Sequence, residues 1–490
     1  MSQSTAAVGA KGTGLTVLGS GFSMGLQLIS VTVLSRLLTP RDFGLVAMVS
    51  VFIALGNIIR DFGMPTAALQ AKSLSHQQAS NLFWVNTALA GTAWILLIAA
   101  TPVLVVLYSE PRLAAVVPAM ASVILVTGVG AQIQIDLARQ LRFKALVLSD
   151  ILGQVLGLAA AIALALLGAG YWALVAQALT AALVTLILRA VLDRWVPSRF
   201  RRGHDSGNLF RAGAEYGVAY LLTFAQQNAD TLIVGATLGA TPLGYYNRGY
   251  QLLTTPVGRL LDPLSQVVVP TLNRIRAEGG DLNAMLLRVQ FGVGCAIVWV
   301  FAMAGATAHW LVPLLLGPGW GPTVRVFQIL AIGGSIWVFS TVSSWVFILY
   351  EQSRQLLRYN LVSKPLAVAC LSVGAFFGID GVAWGYVAAM ALSWPLNLFW
   401  LSRTAGLPSR SFARNGTTIL LAGGLGSLAA TVVGTVLPVL PAVPSISLCV
   451  LVGTAAMLGA LMAMPVTRHF LVASLQLLGA VFARKIQEAK

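Results

Sequence analysis

The chain has 490 residues, of which 57% are hydrophobic and only 9% charged, and its mean hydropathy is +0.83. A soluble domain carries about 25% charged residues. This composition leaves too little polar surface for a water-soluble fold and excludes a soluble enzyme, a nucleic-acid-binding protein and a disordered scaffold.

Fourteen apolar runs predict an all-α polytopic membrane protein with about 14 transmembrane helices. They fall roughly at 14–36, 44–69, 80–108, 112–136, 145–167, 170–190, 211–238, 244–272, 285–316, 323–350, 357–378, 381–402, 414–437 and 446–467. The runs are continuous, whereas barrel strands alternate over about 10 residues, which excludes a β-barrel. Lys11 precedes the first run without a convincing cleavage site, so the run reads as a retained helix and not a signal peptide.

An ionisable group in hydrocarbon costs several kcal/mol and usually faces a partner or a wet cavity. The polar residues inside the runs are therefore the informative ones. The first run places Ser20, Ser23, Gln27 and Ser30 on one arc of about 80°. That is either a mild cavity face or helix–helix packing by small hydroxyls. The second run carries Asn57, Arg60 and Asp61. The seventh has Gln226, Gln227, Asn228 and Asp230 near its centre and Glu215 towards one end. Asp230 is a candidate for proton or sodium coupling, and the alternative is an interhelical hydrogen-bonded cluster.

The eighth run carries Arg248, Gln251, Thr255, Arg259 and Asp262 within another arc of about 80°. This stripe is expected to line a hydrated cavity. The structural alternative pairs Arg259 with Asp262 and lets Arg248 reach the interface. Pro256, Pro263 and Pro270 recur every seven residues in this run and admit either a hinge or a packing kink. Lys364 precedes Pro365 in the eleventh run, and a cation facing a cavity suits phosphate. Arg60, Arg248, Gln251, Arg259, Gln27, Gln226, Asn228 and Lys364 are thus the substrate-binding candidates. Asp61, Glu215, Asp230 and Asp262 are the ion-coupling or gate candidates.

Cys295, Cys370 and Cys449 lie in apolar runs and predict no disulfide framework. The four histidines are scattered, and no metal-ligand spacing, nucleotide loop or nucleophile elbow occurs. No catalytic residue, metal or cofactor is expected.

Lys and Arg placement sets the orientation. With the N-terminus in the cytoplasm, 23 of the 31 basic residues fall on the cytoplasmic side and 4 outside, the other 4 lying within runs. Both termini are then cytoplasmic, and the net charge of +16 follows from the loops. The longest loop, about 191–210, is basic; topology and attraction to anionic headgroups account for its charge.

An internal repeat of about 200 residues links LTPRDFG at 38–44 with LGATPLG at 238–244. Arg139-Gln140-Leu141-Arg142-Phe143 pairs with 354–359, and 170–175 with 381–386. Runs 1–6 therefore repeat as 7–12. This predicts two six-helix bundles related by a pseudo-two-fold along the membrane normal, plus two extra C-terminal helices. The expected organisation is a first lobe at 1–190, a basic cytoplasmic linker at 191–210, a second lobe at 211–405, and helices 13–14 with a cytoplasmic tail at 406–490. By the repeat offset, Arg60 and Asp61 fall within a residue of Arg259 and Asp262. Each pair either closes within its helix or meets the other across a cleft.

The chain resembles the MOP superfamily of exporters, and within it the Wzx-type flippases of the colanic-acid and teichuronic-acid exporter group. The resemblance rests on LSRLLTPRDFG at 34–44, DFG at 61–63, DLARQLRFK at 136–144, GAGYWALV at 168–175 and DTLIVGATLGATPLGYYNRGYQLLTTP at 230–256. It covers roughly residues 14–405. It implies alternating access, by which a polyprenyl-pyrophosphate-linked oligosaccharide moves from the cytoplasmic to the outer leaflet of a bacterial inner membrane for surface polysaccharide biosynthesis. It also implies a monomer that works beside a polymerase and glycosyltransferases, in contact with membrane lipids and not nucleic acid. H+ or Na+ is the implied coupling ion, with no residue selecting between them. A multidrug-type exporter of the same superfamily would have twelve runs and a cavity dominated by carboxylates. A peptidoglycan lipid-precursor flippase also has fourteen, but the motifs favour the polysaccharide group. A membrane polymerase would carry a large external loop, against the very short outside loops here.

Overall fold

The computed structural model describes residues 2–61, 74–201, 228–436 and 441–465, with 68, 224, 467, 468 and 470; the side chains of 2–18, 260, 262, 263, 266 and 353 lie outside that description. Among the described residues the regular structure is all helical, with sixteen α-helices, one 3-10 turn at Pro318–Trp320 and no strand. Ten helices are long and apolar enough to cross a membrane, and the protein is a multi-pass membrane protein. Continuous apolar runs force this outcome. Without water the backbone must satisfy its own hydrogen bonds, and a helix does so within one segment.

Packing divides the chain into two compact units, Met1–Gly244 and Tyr245–Lys490. The first contains α1 (Ser2–Leu37), α2 (Pro40–Asp61), α3 (His76–Ala99), α4 (Thr101–Tyr108), α5 (Leu113–Arg139), α6 (Phe143–Leu166), α7 (Trp172–Asp193) and α8 (Ala229–Leu238). Helix α9 (Ala240–Ala277) begins in it and continues into the second unit. There follow α10 (Leu282–Ala306), α11 (Ala308–Leu316), α12 (Gly321–Leu349), α13 (Ser353–Ala375), α14 (Gly378–Thr404), α15 (Ser409–Val436) and α16 (Ala442–Ala463).

Each of the fourteen runs holds a helix, and two hold a broken pair. The third run breaks at Ala100, because Pro102 cannot donate to the preceding turn and instead starts α4. The ninth breaks at Thr307, whose hydroxyl turns back to Met303 O at 2.8 Å. The pairings repeat as well. In the first unit α3 packs on α5, α5 on α7 and α6 on α7; in the second α10 packs on α12, α12 on α14 and α13 on α14. These are the third to sixth and ninth to twelfth runs in the same order. The two last helices pair with each other and join the second unit through α10.

Local chemistry fixes the helix starts. Ser75 caps α3 in a reciprocal box: its Oγ accepts from Gln78 N at 3.2 Å, and its N–H donates to Gln78 Oε1 at 2.9 Å. At the start of α2, Asp42 Oδ2 accepts from Thr39 N at 2.9 Å and Thr39 Oγ1 at 2.6 Å, with Pro40 leading the first turn. The α2 and α9 starts then meet in the first unit. Gly44 lies against the Ala240 carbonyl and Gly244 against the Pro40 carbonyl, so close that a Cβ would stand 1.7 and 1.8 Å away. The repeated Thr-Pro-x-x-x-Gly and Thr-Pro-Leu-Gly motifs thus serve one reciprocal backbone contact, which glycine alone permits.

Helix α9 runs through Pro256, Pro263 and Pro270 without a break. Its 38 residues span roughly 57 Å at 1.5 Å per residue, about twice the hydrocarbon thickness. Arg274 and Arg276 stand in its last turn.

Candidate functional site

The first unit encloses a cavity of about 600 Å³ lined by α2, α5, α6 and α7. Its lining comes from the C-terminal halves of α5 and α7, the end of α2 and the N-terminal half of α6. Those are the ends that carry the basic turns, Arg139, Arg142 and Lys144 between α5 and α6 and Arg194 after α7.

Two arginine–aspartate pairs organise this cavity. Arg60 grips its neighbour Asp61 in a two-pronged contact, Nε to Oδ1 and Nη2 to Oδ2, both at 2.8 Å. Its remaining Nη1 donates to Asn57 Oδ1 at 3.1 Å and to Thr127 Oγ1 on α5. Arg189 of α7 ties three helices together. It donates from Nη2 to Asp150 Oδ1 on α6 at 2.7 Å, from Nη1 to Gln134 Oε1 on α5 at 2.9 Å and from Nε to Ser149 Oγ at 3.2 Å. Planar forks matched to carboxylates give such contacts their strength and geometry. In both pairs the cation sits behind the anion. The Arg60 and Arg189 side chains are 11% and 10% exposed, against 34% and 46% for Asp61 and Asp150. The cavity therefore presents carboxylates and amides at its surface, backed by guanidiniums that would be released if the carboxylates moved aside.

Of the sequence candidates, the structure brings Arg60 and Asp61 to this cavity, and they pair within their own helix. Arg189, Asp150, Gln134 and Gln154 were not singled out, yet they line the same space. Arg189 stands inside α7, buried. An acidic residue in the fifth run and a basic one at the end of the sixth were the available signal. The first-run polar arc is turned to packing in part: Ser23 accepts from Gln154 Nε2 at 3.3 Å and Ser30 from Gln177 Nε2 at 2.8 Å. Gln27 is half-buried on the same helix.

Asn228 closes onto Phe224 O at 3.0 Å, and the buried Asp230 accepts from Thr231 N at 2.8 Å, at the start of α8. Glu215 and Gln226 lie outside the described residues, as does the side chain of Asp262. In the second unit Arg248 donates to Gln251 Oε1 at 3.0 Å. These two stand beside an aromatic group in which Tyr246 stacks on Tyr250 at 6.1 Å and Tyr250 meets Tyr386 edge-on at 5.9 Å. Arg259 is exposed, and Lys364 is half-buried in α13. Arg248, Arg259 and Lys364 belong to the second unit.

The opposite end of the first unit carries compensated charge. Arg41 reaches Glu110 at 2.8 Å, with Arg112 at 3.9 Å from the same carboxylate. The second unit has the counterpart, Arg325 with Asp380 at 3.0 Å. Three of the four basic residues assigned to the outside thus face a carboxylate. Cys295, Cys370 and Cys449 are free thiols, and no group of metal-binding side chains occurs among the described residues.

Comparison with known proteins agrees with this architecture. The "Polysaccharide biosynthesis protein" family matches residues 33–325. The chain is 22% identical over 385 residues to the Escherichia coli lipopolysaccharide biosynthesis protein WzxC, covering 77% of each. It is 24% identical over 353 residues to the Bacillus subtilis teichuronic acid biosynthesis protein TuaB, covering 69% of this chain and 72% of that one. A Rhizobium meliloti succinoglycan biosynthesis transport protein, ExoT, is 24% identical over 340 residues, 66% of each. Among solved structures, the lipid II flippase MurJ in an inward closed conformation superposes with a TM-score of 0.71 at 11% identity, over 91% of this chain and 97% of MurJ. An inward-facing multidrug transporter of the MATE family and MOP superfamily gives 0.59 at 14% identity, over 79% and 95%. The chain has the fold of these transporters, and with well over half of its length inside the family match it belongs to the polysaccharide biosynthesis protein family.

Proposed function

We propose that the protein is a flippase and not an enzyme. It moves a polyprenyl-pyrophosphate-linked oligosaccharide from the cytoplasmic to the outer leaflet of a bacterial inner membrane, by alternating access. The observation that carries this reading is the cavity with its two arginine–aspartate pairs at the basic end of the first unit, in a chain of a polysaccharide biosynthesis family. A saccharide and its pyrophosphate need a hydrated polar surface, while the polyprenyl tail stays in lipid.

The two arginine–aspartate pairs supply a bistable device. In the empty cavity Asp61 and Asp150 hold Arg60 and Arg189, so no buried charge stands alone. An arriving pyrophosphate competes for the same guanidinium forks. Each displaced carboxylate then needs a proton or a sodium ion, and this links loading to an ion gradient. Both states keep the arginines satisfied, so the exchange has a small net free energy, as a transport cycle requires. The cycle takes no cofactor. The protein acts as a monomer, with both termini cytoplasmic, on precursors made by glycosyltransferases and passed to a polymerase.

The test is a deletion strain carrying wild type, Arg60→Ala or Arg189→Ala. Lipid-linked repeat units are expected to accumulate on the cytoplasmic leaflet and to be cleared by wild type but not by either variant at matched expression. A deletion strain with no such accumulation and unchanged surface polymer would overturn the reading.

A further inference from the structure

After α7 the chain does something that helix packing alone does not require. Arg194 takes a left-handed turn, φ 56°, and residues 195–201 then run without helix or strand along the first turns of α3. One face of α3 holds this strap by its backbone. Trp84 Nε1 donates to Ser198 O at 2.9 Å, and Gln77 Nε2 to Arg199 O at 2.8 Å. Asn81 engages Arg201 twice, donating to its carbonyl at 2.8 Å and accepting from its N–H at 3.1 Å. Ser80 Oγ accepts from Ser198 N at 3.0 Å. The Trp195 ring packs against His76 and Phe83, each at 5.8 Å. Residues 77, 80, 81 and 84 are spaced to share one helical face, so one face of α3 holds the strap's backbone.

Trp195 and Ser198 turn to α3, and the strap's other large side chains are left exposed. Arg194, Arg199 and Arg201 are exposed, with Val196 71% and Phe200 48% exposed between them. The neighbouring turn adds the exposed Lys144. The carboxylates at this end are engaged: Asp193, its side chain fully buried, lies 3.8 Å from Arg142, and Asp136 accepts from Gln140 at 2.6 Å. The strap starts where one apolar span ends and lies where another begins, which places it at headgroup depth.

We propose that residues 194–201 form a docking surface for anionic phospholipid headgroups. Arg199 and Arg201 take the phosphates while Val196 and Phe200 enter the interface between them. The occupant follows from the charge, the interleaved apolar residues and the depth. The hydrogen bonds to α3 hold the basic residues in place before lipid arrives, so binding costs little ordering.

The test uses the full chain in nanodiscs of phosphatidylcholine with and without phosphatidylglycerol, with bound lipid read by native mass spectrometry. Wild type is expected to retain phosphatidylglycerol over phosphatidylcholine. Arg199→Gln/Arg201→Gln is expected to lose that preference by roughly tenfold or more, with unfolding temperature unchanged, while Arg274→Gln keeps it. Trp84→Phe, which loosens the strap without removing charge, is expected to reduce retention. The proposal is overturned if wild type shows no preference or the double variant retains it. It is also overturned if polyprenyl pyrophosphate displaces the phosphatidylglycerol at equimolar amounts, since the surface would then serve the carried lipid. Loss of phosphatidylglycerol retention with normal clearance of lipid-linked repeat units separates this site from the transport cavity.

Discussion

Adding one methyl group at Gly44 is the sharpest test of how the repeat is used. A Cβ there would stand 1.7 Å from the Ala240 carbonyl oxygen and 2.5 Å from its carbon. Real Cβ contacts essentially never fall under 3.0 Å, so the α2 and α9 starts must separate by about 1.3 Å. The obstacle is backbone on both sides, and no rotamer change relieves it. Overpacking of this kind costs about 1–3 kcal/mol, more where the neighbours cannot yield, and for a unit of this size that lowers Tm by roughly 2–12 °C. Gly244→Ala meets the Pro40 carbonyl at 1.8 Å and is expected to match it. Gly91→Ala, in α3 with nothing within 4 Å of the added carbon, is the control and should be neutral or slightly stabilising through helix propensity. Thermal unfolding of detergent-solubilised protein, read by size-exclusion fluorescence, measures all three. A Gly44→Ala midpoint within 2 °C of wild type would refute the close approach.

Other perturbations separate strong contacts from weak ones. Arg189→Met leaves Asp150 without its cation and is expected to destabilise by about 3 kcal/mol or less, because Asp150 is half-exposed. Adding Asp150→Asn should recover part of that loss, and a double-mutant cycle on thermal midpoints measures the coupling. Ser75→Ala removes the hydroxyl half of the α3 capping box while residue 75 N–H can still donate to Gln78 Oε1, and should cost about 1 kcal/mol, seen as faster hydrogen exchange over the first turn of α3. Arg325→Ala removes an exposed partner of Asp380 and should change stability by less than about 1 kcal/mol, within the scatter of repeated melts.

The helices were legible in the sequence because a hydrocarbon solvent leaves few choices. Runs of about 20 apolar residues had to become helices, and they did, down to α16 at Ala442–Ala463. The repeat was visible in the Thr-Pro-Gly motifs, but its purpose was not. That Gly44 and Gly244 pack each on the start of the other's helix is a three-dimensional fact which local pattern does not encode. The candidate site was half legible. Arg60 and Asp61 stood out as charges at the end of an apolar run. Arg189 was hidden at the edge of another, where a loop charge and a buried one look alike. Its burial comes from three partners, Gln134, Ser149 and Asp150, contributed by two other helices. In the first-unit cavity both pairs turn their carboxylates outward, and Arg60 and Arg189 each donate to further acceptors besides them.

The most direct measurement of the central claim is transport itself. Purified protein in liposomes would be given a fluorescently labelled polyprenyl-pyrophosphate oligosaccharide in both leaflets, and a membrane-impermeant quencher would report the fraction outside. Under an imposed proton or sodium gradient, wild type is expected to shift the labelled lipid between leaflets, while Arg60→Ala and Arg189→Ala leave the distribution as in protein-free vesicles. Equal redistribution by wild type and both variants would contradict the role given to the arginine–aspartate cavity. No redistribution by wild type under either gradient would contradict the ion-coupled flippase itself.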